Sequence, residues 1–129
     1  MSFKSELTIE GKTYNVRRFF VSVKRNIDQR GRPSSMPSWS LFVVIDSVQD
    51  TTLTRWMLDS VKELNGELIM YKIDQNSKLK EISFKKSYCF GMNDLFNSET
   101  GYATCELLIA GRDLKINTAE LKQNWPGGI

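Results

Sequence analysis

The strongest constraint on this chain is a period of two. Phe3, Ser5, Leu7 and Ile9 alternate with Lys4, Glu6, Thr8 and Glu10, the pattern of a strand with one face in a core and the other in water. Glu10-Gly11-Lys12 then offers a tight turn, and a second strand follows from Tyr14 to Lys24, so the two predict an antiparallel hairpin. In that second strand Phe19, Val21 and Val23 fall on one face and Tyr14, Val16 and Phe20 on the other, with Arg17-Arg18 between them. Apolar residues on both faces imply a bulge or a strand covered on two sides.

Ile27 to Pro37 holds Gly31, Pro33 and Pro37 among polar residues and cannot pair as a central strand. It reads as a long exposed loop. Trp39 to Ile45 returns to strand character. The period then changes: Leu53, Trp56, Met57 and Val61 recur at helical spacing after Asp50, an acceptor for first-turn amides. One helix is predicted over Thr51 to Asp59, fraying toward Leu64, with Asn65-Gly66 as its stop. Three strands follow: Glu67 to Ile73; Leu79 to Phe90, with Phe84, Tyr88 and Phe90 on one face; and one carrying Ala103, Cys105, Leu107 and Ile109, bent at Gly111 before Leu114 and Ile116. The fold class is therefore mainly β, a small antiparallel β-barrel or sandwich with one α-helix packed across it. At 129 residues the chain makes one domain, 1–129.

Histidine is absent, which removes the usual general base, the Ser-His and Cys-His pairs and most transition-metal sites. Cys89 and Cys105 alone cannot complete a structural zinc site. They read as reduced core residues. No catalytic residue, metal or cofactor is indicated, and the Asp59/Glu63 pair reads as a solvated surface. Trp56 is expected in the core, and Trp125 as a packing latch for the tail.

The longest apolar run, Leu41 to Ile45, is far too short to cross a bilayer, and the first residues lack a signal-peptide pattern. Cytoplasmic synthesis is expected, with any export by a route needing no cleaved signal. A net charge of +3, with basic residues scattered among acids, does not call for nucleic acid. The alternative is a basic barrel that binds single-stranded nucleic acid through Arg17, Arg18, Phe19 and Phe20. A small-ligand barrel has only barrel closure in its favour.

Four features occur in order: Ser2-Phe3-Lys4-Ser5-Glu6-Leu7 with Gly11-Lys12-Thr13-Tyr14-Asn15-Val16; Gly31-Arg32-Pro33-Ser34-Ser35; Leu53-Thr54-Arg55-Trp56-Met57; and Asn124-Trp125-Pro126. Together they resemble the type VI secretion tube protein, the haemolysin-coregulated or TssD family. The resemblance implies a homo-oligomer: a hexameric ring, with rings stacking into a hollow tube that sheath contraction expels with effectors. Sheath, spike and effector proteins would be its partners. It also implies that the loop Asp28, Gln29, Arg30, Gly31, Arg32, Pro33, Ser34 and Ser35 meets the adjoining ring, and the strand with Arg17, Arg18, Phe19 and Phe20 is the candidate contact within a ring. Those four residues, and Met36, depart from the family pattern, as a divergent paralogue would.

Overall fold

The computed structural model describes residues 3–33, 37–47, 51–59, 62–72 and 77–122. Seven strands and one helix run in the order β1 (Phe3–Ile9), β2 (Lys12–Lys24), β3 (Ser38–Asp46), α1 (Thr52–Leu58), β4 (Leu64–Lys72), β5 (Ser77–Asn97), β6 (Tyr102–Ile116) and β7 (Ala119–Lys122). All pair antiparallel in one sheet of order β3-β2-β1-β4-β5-β6-β7, and a further β3–β6 pairing closes it into a barrel. The predicted class is therefore the observed one.

The β1–β2 hairpin forms as its alternation requires. Ile9 opposes Lys12, and Glu10 and Gly11 both take positive φ, 52° and 76°, the backbone of a two-residue type I′ turn. Leu7 and Ile9 are buried, as are Tyr14 and Val16 opposite. The β2–β3 register then slips between Val16 and Arg18. This bulge moves the inward side by one residue, so Phe19 and Val21 continue the core face begun by Tyr14 and Val16, whereas Phe20 turns out to 60% exposure. The two-faced appearance of β2 in sequence is one face interrupted by a bulge.

Three expectations need correcting. Helix α1 spans only Thr52–Leu58, its N-terminal boundary residue Thr51 makes no side-chain cap, and Asp50 lies outside the described residues, as do Trp125, Ser34, Ser35 and Met36. Asn65-Gly66 is not a helix stop but lies inside β4. The Asn65 side-chain oxygen accepts a hydrogen bond from the Lys86 amide at 3.0 Å, and a Cβ on Gly66 would sit 2.4 Å from the Phe84 ring. Strand β5 is far longer than predicted and does not keep Phe84, Tyr88 and Phe90 on one face. Lys86 has a φ of 52°, and a second register shift falls between Cys89 and Gly91. Each break rotates the alternation, so Phe84 is buried and Phe90 is exposed. Gly111, where a bend was expected, lies inside β6 (Tyr102–Ile116).

What Gly111 supplies is proximity. It pairs directly with Ser87, and a Cβ there would lie 2.3 Å from Ser87 Oγ and 2.7 Å from Ser87 Cα. Ser87 is itself fully buried, and backbone cannot swing aside as a flexible side chain can. Gly111→Ala is therefore expected to destabilise by about 3 kcal/mol, at the upper end for overpacking. A thermal melt followed by circular dichroism should show a midpoint about 10 °C lower; an unchanged midpoint would mean that β5 and β6 separate at no cost.

The core joins all layers. Leu41, Val43, Ile45, Leu68, Ile82, Phe84, Leu107 and Ile109 fill the barrel, and α1 lays Leu53 and Trp56 on it. Among the described residues, these side chains occupy the centre of the barrel, the space a small ligand would need.

Candidate functional site

Strand pairing leaves one part of the barrel incomplete in a specific way. β2 pairs with β1 only from Lys12 to Val16, and from Arg18 to Lys24 it pairs with β3 alone. β5 pairs with β4 only as far as Ser87, and from Cys89 to Asn97 it pairs with β6 alone. The upper barrel is thus a four-stranded unit, β2–β3–β6–β5. Among the described residues no strand pairs with its outer edges at Arg17–Lys24 on one side or Tyr88–Asn97 on the other. Free edges of this length are ready templates for another chain.

The face of this unit turned from the core has its own pattern. Phe20 opposes Phe42, and Phe42 opposes Leu108, which in turn opposes Gly91. The Phe20 and Phe42 rings lie 5.2 Å apart, centroid to centroid. Leu108 fills the place a Gly91 side chain would take, since a Cβ on Gly91 would meet Leu108 Cδ1 at 2.7 Å. An apolar row therefore crosses all four strands.

The four residues singled out in β2 are not brought together as one surface. Arg17 donates from Nε to Asp46 Oδ1, where the Asn15 amide also donates, to Oδ2 at 2.8 Å. The Arg17 guanidinium also lies 5.1 Å over the Tyr102 ring. The Asn15 hydrogen bond and the Arg17 charge hold the Asp46 carboxyl below its ordinary range, and Asp46 raises Arg17 in turn. This exposed network ties β2, β3 and β6 at one end of the unit; such pairs add little stability but fix geometry. Arg18 and Phe20 are exposed, and Phe19 packs on the core. With Arg17 engaged and Phe19 inside, the basic aromatic face needed for nucleic acid is not assembled.

The described part of the loop after β2, through Pro33, is exposed as predicted and internally hydrogen-bonded. Asp28 Oδ1 accepts the amides of Arg30 and Arg32, each at 2.9 Å, and the Asp28 amide donates to the Arg32 carbonyl at 2.8 Å. Gly31 takes a φ of 79°, and Ile27 bridges to Pro33. This is an Asx-type turn that holds Arg30 and Arg32 on the surface.

Chemistry elsewhere is quiet. Cys89 and Cys105 are buried free thiols; burial, then the Asp94 carboxylate, pushes Cys105 up to about 12. Burial also raises Cys89. Both are protonated at neutral pH and serve as small apolar side chains. Among the described residues no three metal-ligating side chains cluster, and no helix is long and apolar enough to cross a membrane.

Comparison with known proteins places these features. The fold is similar to that of Hcp1 from Flavobacterium johnsoniae, with 24% identity, a TM-score of 0.82, and coverage of 93% of this chain and 99% of that one. It is also similar to Hcp1 from Salmonella typhimurium, at 11% identity and a TM-score of 0.71 over 94% of this chain and 92% of that one. A chain of the sheath-tube complex of PVC, an extracellular contractile injection system, matches with 11% identity and a TM-score of 0.60 over 89% and 88% of the two chains. No curated protein matches the chain. The family model for hemolysin coregulated protein Hcp (TssD) matches residues 1–126, and with nearly its whole length accounted for, the chain belongs to that family.

Proposed function

We propose that this chain is a structural subunit of the type VI secretion inner tube, joining copies of itself into a hexameric ring whose rings stack into a hollow tube. The observation that carries this reading is the pair of free edges on opposite sides of the β2–β3–β6–β5 unit. A ring forms when one surface meets a different surface on the next copy and the rotation closes. Here the β2 edge of one subunit meets the β5 edge of the next, by strand addition.

Strand direction supports the pairing. Successive strands in the unit alternate in direction, and four is an even number. When copies are related by rotation about an axis running roughly along the strands, β2 of one copy and β5 of the next are necessarily antiparallel. Every junction then repeats the ladder type already used inside the subunit. Six such units form one continuous sheet, and the face with Phe20, Phe42 and Leu108 becomes the inner wall. The core face is already occupied by α1 and the rest of the barrel.

Arg17, Arg18, Phe19 and Phe20 lie on the strand that meets the neighbour within a ring, acting through the backbone edge more than through the side chains. The loop from Asp28 to Ser35 is the contact for the adjoining ring, and its described part, Asp28 to Pro33, follows β2 at the end of the unit. The role is mechanical and not catalytic. Sheath contraction would drive the tube and its effectors out after cytoplasmic assembly, and similarity to a chain of the PVC sheath-tube complex supports a sheath as partner.

The test is the mass of the purified full chain by size-exclusion chromatography with light scattering. Six copies of 14.9 kDa give a ring of about 89 kDa. A single species of monomer mass at high micromolar concentration would contradict the proposal.

A further inference from the structure

Charges that intermingle along the sequence are sorted by the fold to opposite ends of the β2–β3–β6–β5 unit. From Lys24 to Pro33 there are four basic residues, Lys24, Arg25, Arg30 and Arg32, against one acid, Asp28, a net of +3. All five are exposed. The single acid is turned onto the loop's own amides, accepting from Arg30 N and Arg32 N. From Ser87 to Gly111 the balance inverts: Asp94, Glu99 and Glu106 are present and no Lys or Arg at all.

The registers set these segments far apart. Lys24 opposes Ser38 at one end; at the other, Asn97 opposes Tyr102 at the β5–β6 turn. Extending the β3–β6 register from Ser40↔Ala110 puts Ser38 about ten residues of β6 from Tyr102, roughly 33 Å along the strands. Of the basic residues on β2 toward the acidic end, Arg17 is already bound to Asp46, and Lys12 donates to Thr52 Oγ1 at 2.9 Å. Arg18 lies in the row of Val44 and Glu106, about four residues and roughly 13 Å in from that turn.

Both ends also carry apolar surface. Ile27 is 69% exposed beside the basic loop, and Leu95, Phe96 and Tyr102 are 53%, 76% and 57% exposed on the acidic hairpin. An apolar centre with an oppositely charged rim on each partner is the composition of a reversible protein contact.

We infer that the β5–β6 hairpin tip, with Asp94, Phe96 and Glu99, is the seat for the Arg30/Arg32 loop of a second copy of this chain in the next ring. This rests on the ring reading above and adds to it the receiving surface and a polarity: basic end to acidic end, never like to like. The occupant is a second copy because one chain carries both halves of the complement at opposite ends. Each charge pair is exposed and weak alone, and a ring presents six of them in register.

The experiment is ring stacking by the full chain, followed by negative-stain imaging and sedimentation, with single rings as the folding control. Stacks of wild-type rings are expected to shorten about tenfold between roughly 50 mM and 500 mM salt, as screening acts on exposed pairs. Arg30→Glu with Arg32→Glu should leave single rings, and so should Asp94→Lys with Glu99→Lys. Because Asp94 acts on the Cys105 thiol, the single variant Glu99→Lys, on an exposed turn, gives the same test without touching the core. The fourfold exchange should stack again. Wild-type rings that stack equally in all variants and salts, wild-type rings that never stack, or a fourfold variant that stays unstacked, would overturn the assignment while leaving the ring intact. Absence of rings in the wild type would instead contradict the tube-subunit reading.

Discussion

Trp56→Ala should cost about 3–5 kcal/mol of folding free energy, the range for emptying a large aromatic site in a core, read as a shift in urea midpoint with unchanged slope. Helix α1 has seven residues, well below the length at which a helix holds in water by itself. It exists because Leu53 and Trp56, at 3% and 1% exposure, anchor it to the barrel. The Trp56 indole lies parallel to the Phe84 ring, 3° between planes at 6.4 Å, and donates from Nε1 to the Ser87 carbonyl at 3.2 Å. Truncation opens a cavity beside Phe84 and leaves that buried carbonyl without its donor. Trp56→Phe should lose less, keeping the ring contact but not the hydrogen bond. A loss below about 1 kcal/mol for the alanine variant would mean that the helix is not part of the cooperative core.

The second large effect is on assembly and should leave the subunit folded. Along β5, successive amides point alternately toward β6 and toward the free edge. Proline removes one amide. Of Leu95→Pro and Phe96→Pro, one therefore breaks the pairing to β6 and the other breaks only the outward edge. The second is expected to give a folded monomer, with ring mass lost completely and the thermal midpoint close to that of wild type. If both variants form rings, the β5 edge is not the junction. If both merely unfold, the same pair of substitutions in β2, at Val21 and Ser22, tests the opposite edge of the same junction.

How much of this was legible in the sequence differs from element to element, for physical reasons. The β1–β2 hairpin was readable because Leu7 and Ile9 alternate without interruption into Gly11, and local turn chemistry decides the rest. Trp56 was readable as core because it recurs with Leu53 on one helical face. β5 was misread because its alternation is rotated twice, at Lys86 and between Cys89 and Gly91; a period that slips by one residue looks like a strand ending. β7 escaped notice because its only support is pairing with β6, which no local pattern announces.

The candidate site was less legible still. Arg17 reads as a free basic residue until the fold brings Asp46, 29 positions away, onto it. The free edges are properties of which strands fail to meet, and non-local pairing decides that. Likewise each charged segment was visible, but their opposition across the unit appears only once the registers align the strands. The motifs at Gly11, Gly31 and Trp56 carried the family, since each marks a place where backbone or packing demands that residue.

In the proposed tube, β2 of one subunit continues the sheet of the next through β5. Cryo-electron microscopy of the assembled full chain, at a resolution that separates strands, tests it directly. The expected image is a six-membered ring whose inner wall is an unbroken sheet, with Arg17–Lys24 of each copy antiparallel to Tyr88–Asn97 of its neighbour. A ring joined through α1 or β7, with those two edges left apart, would contradict it.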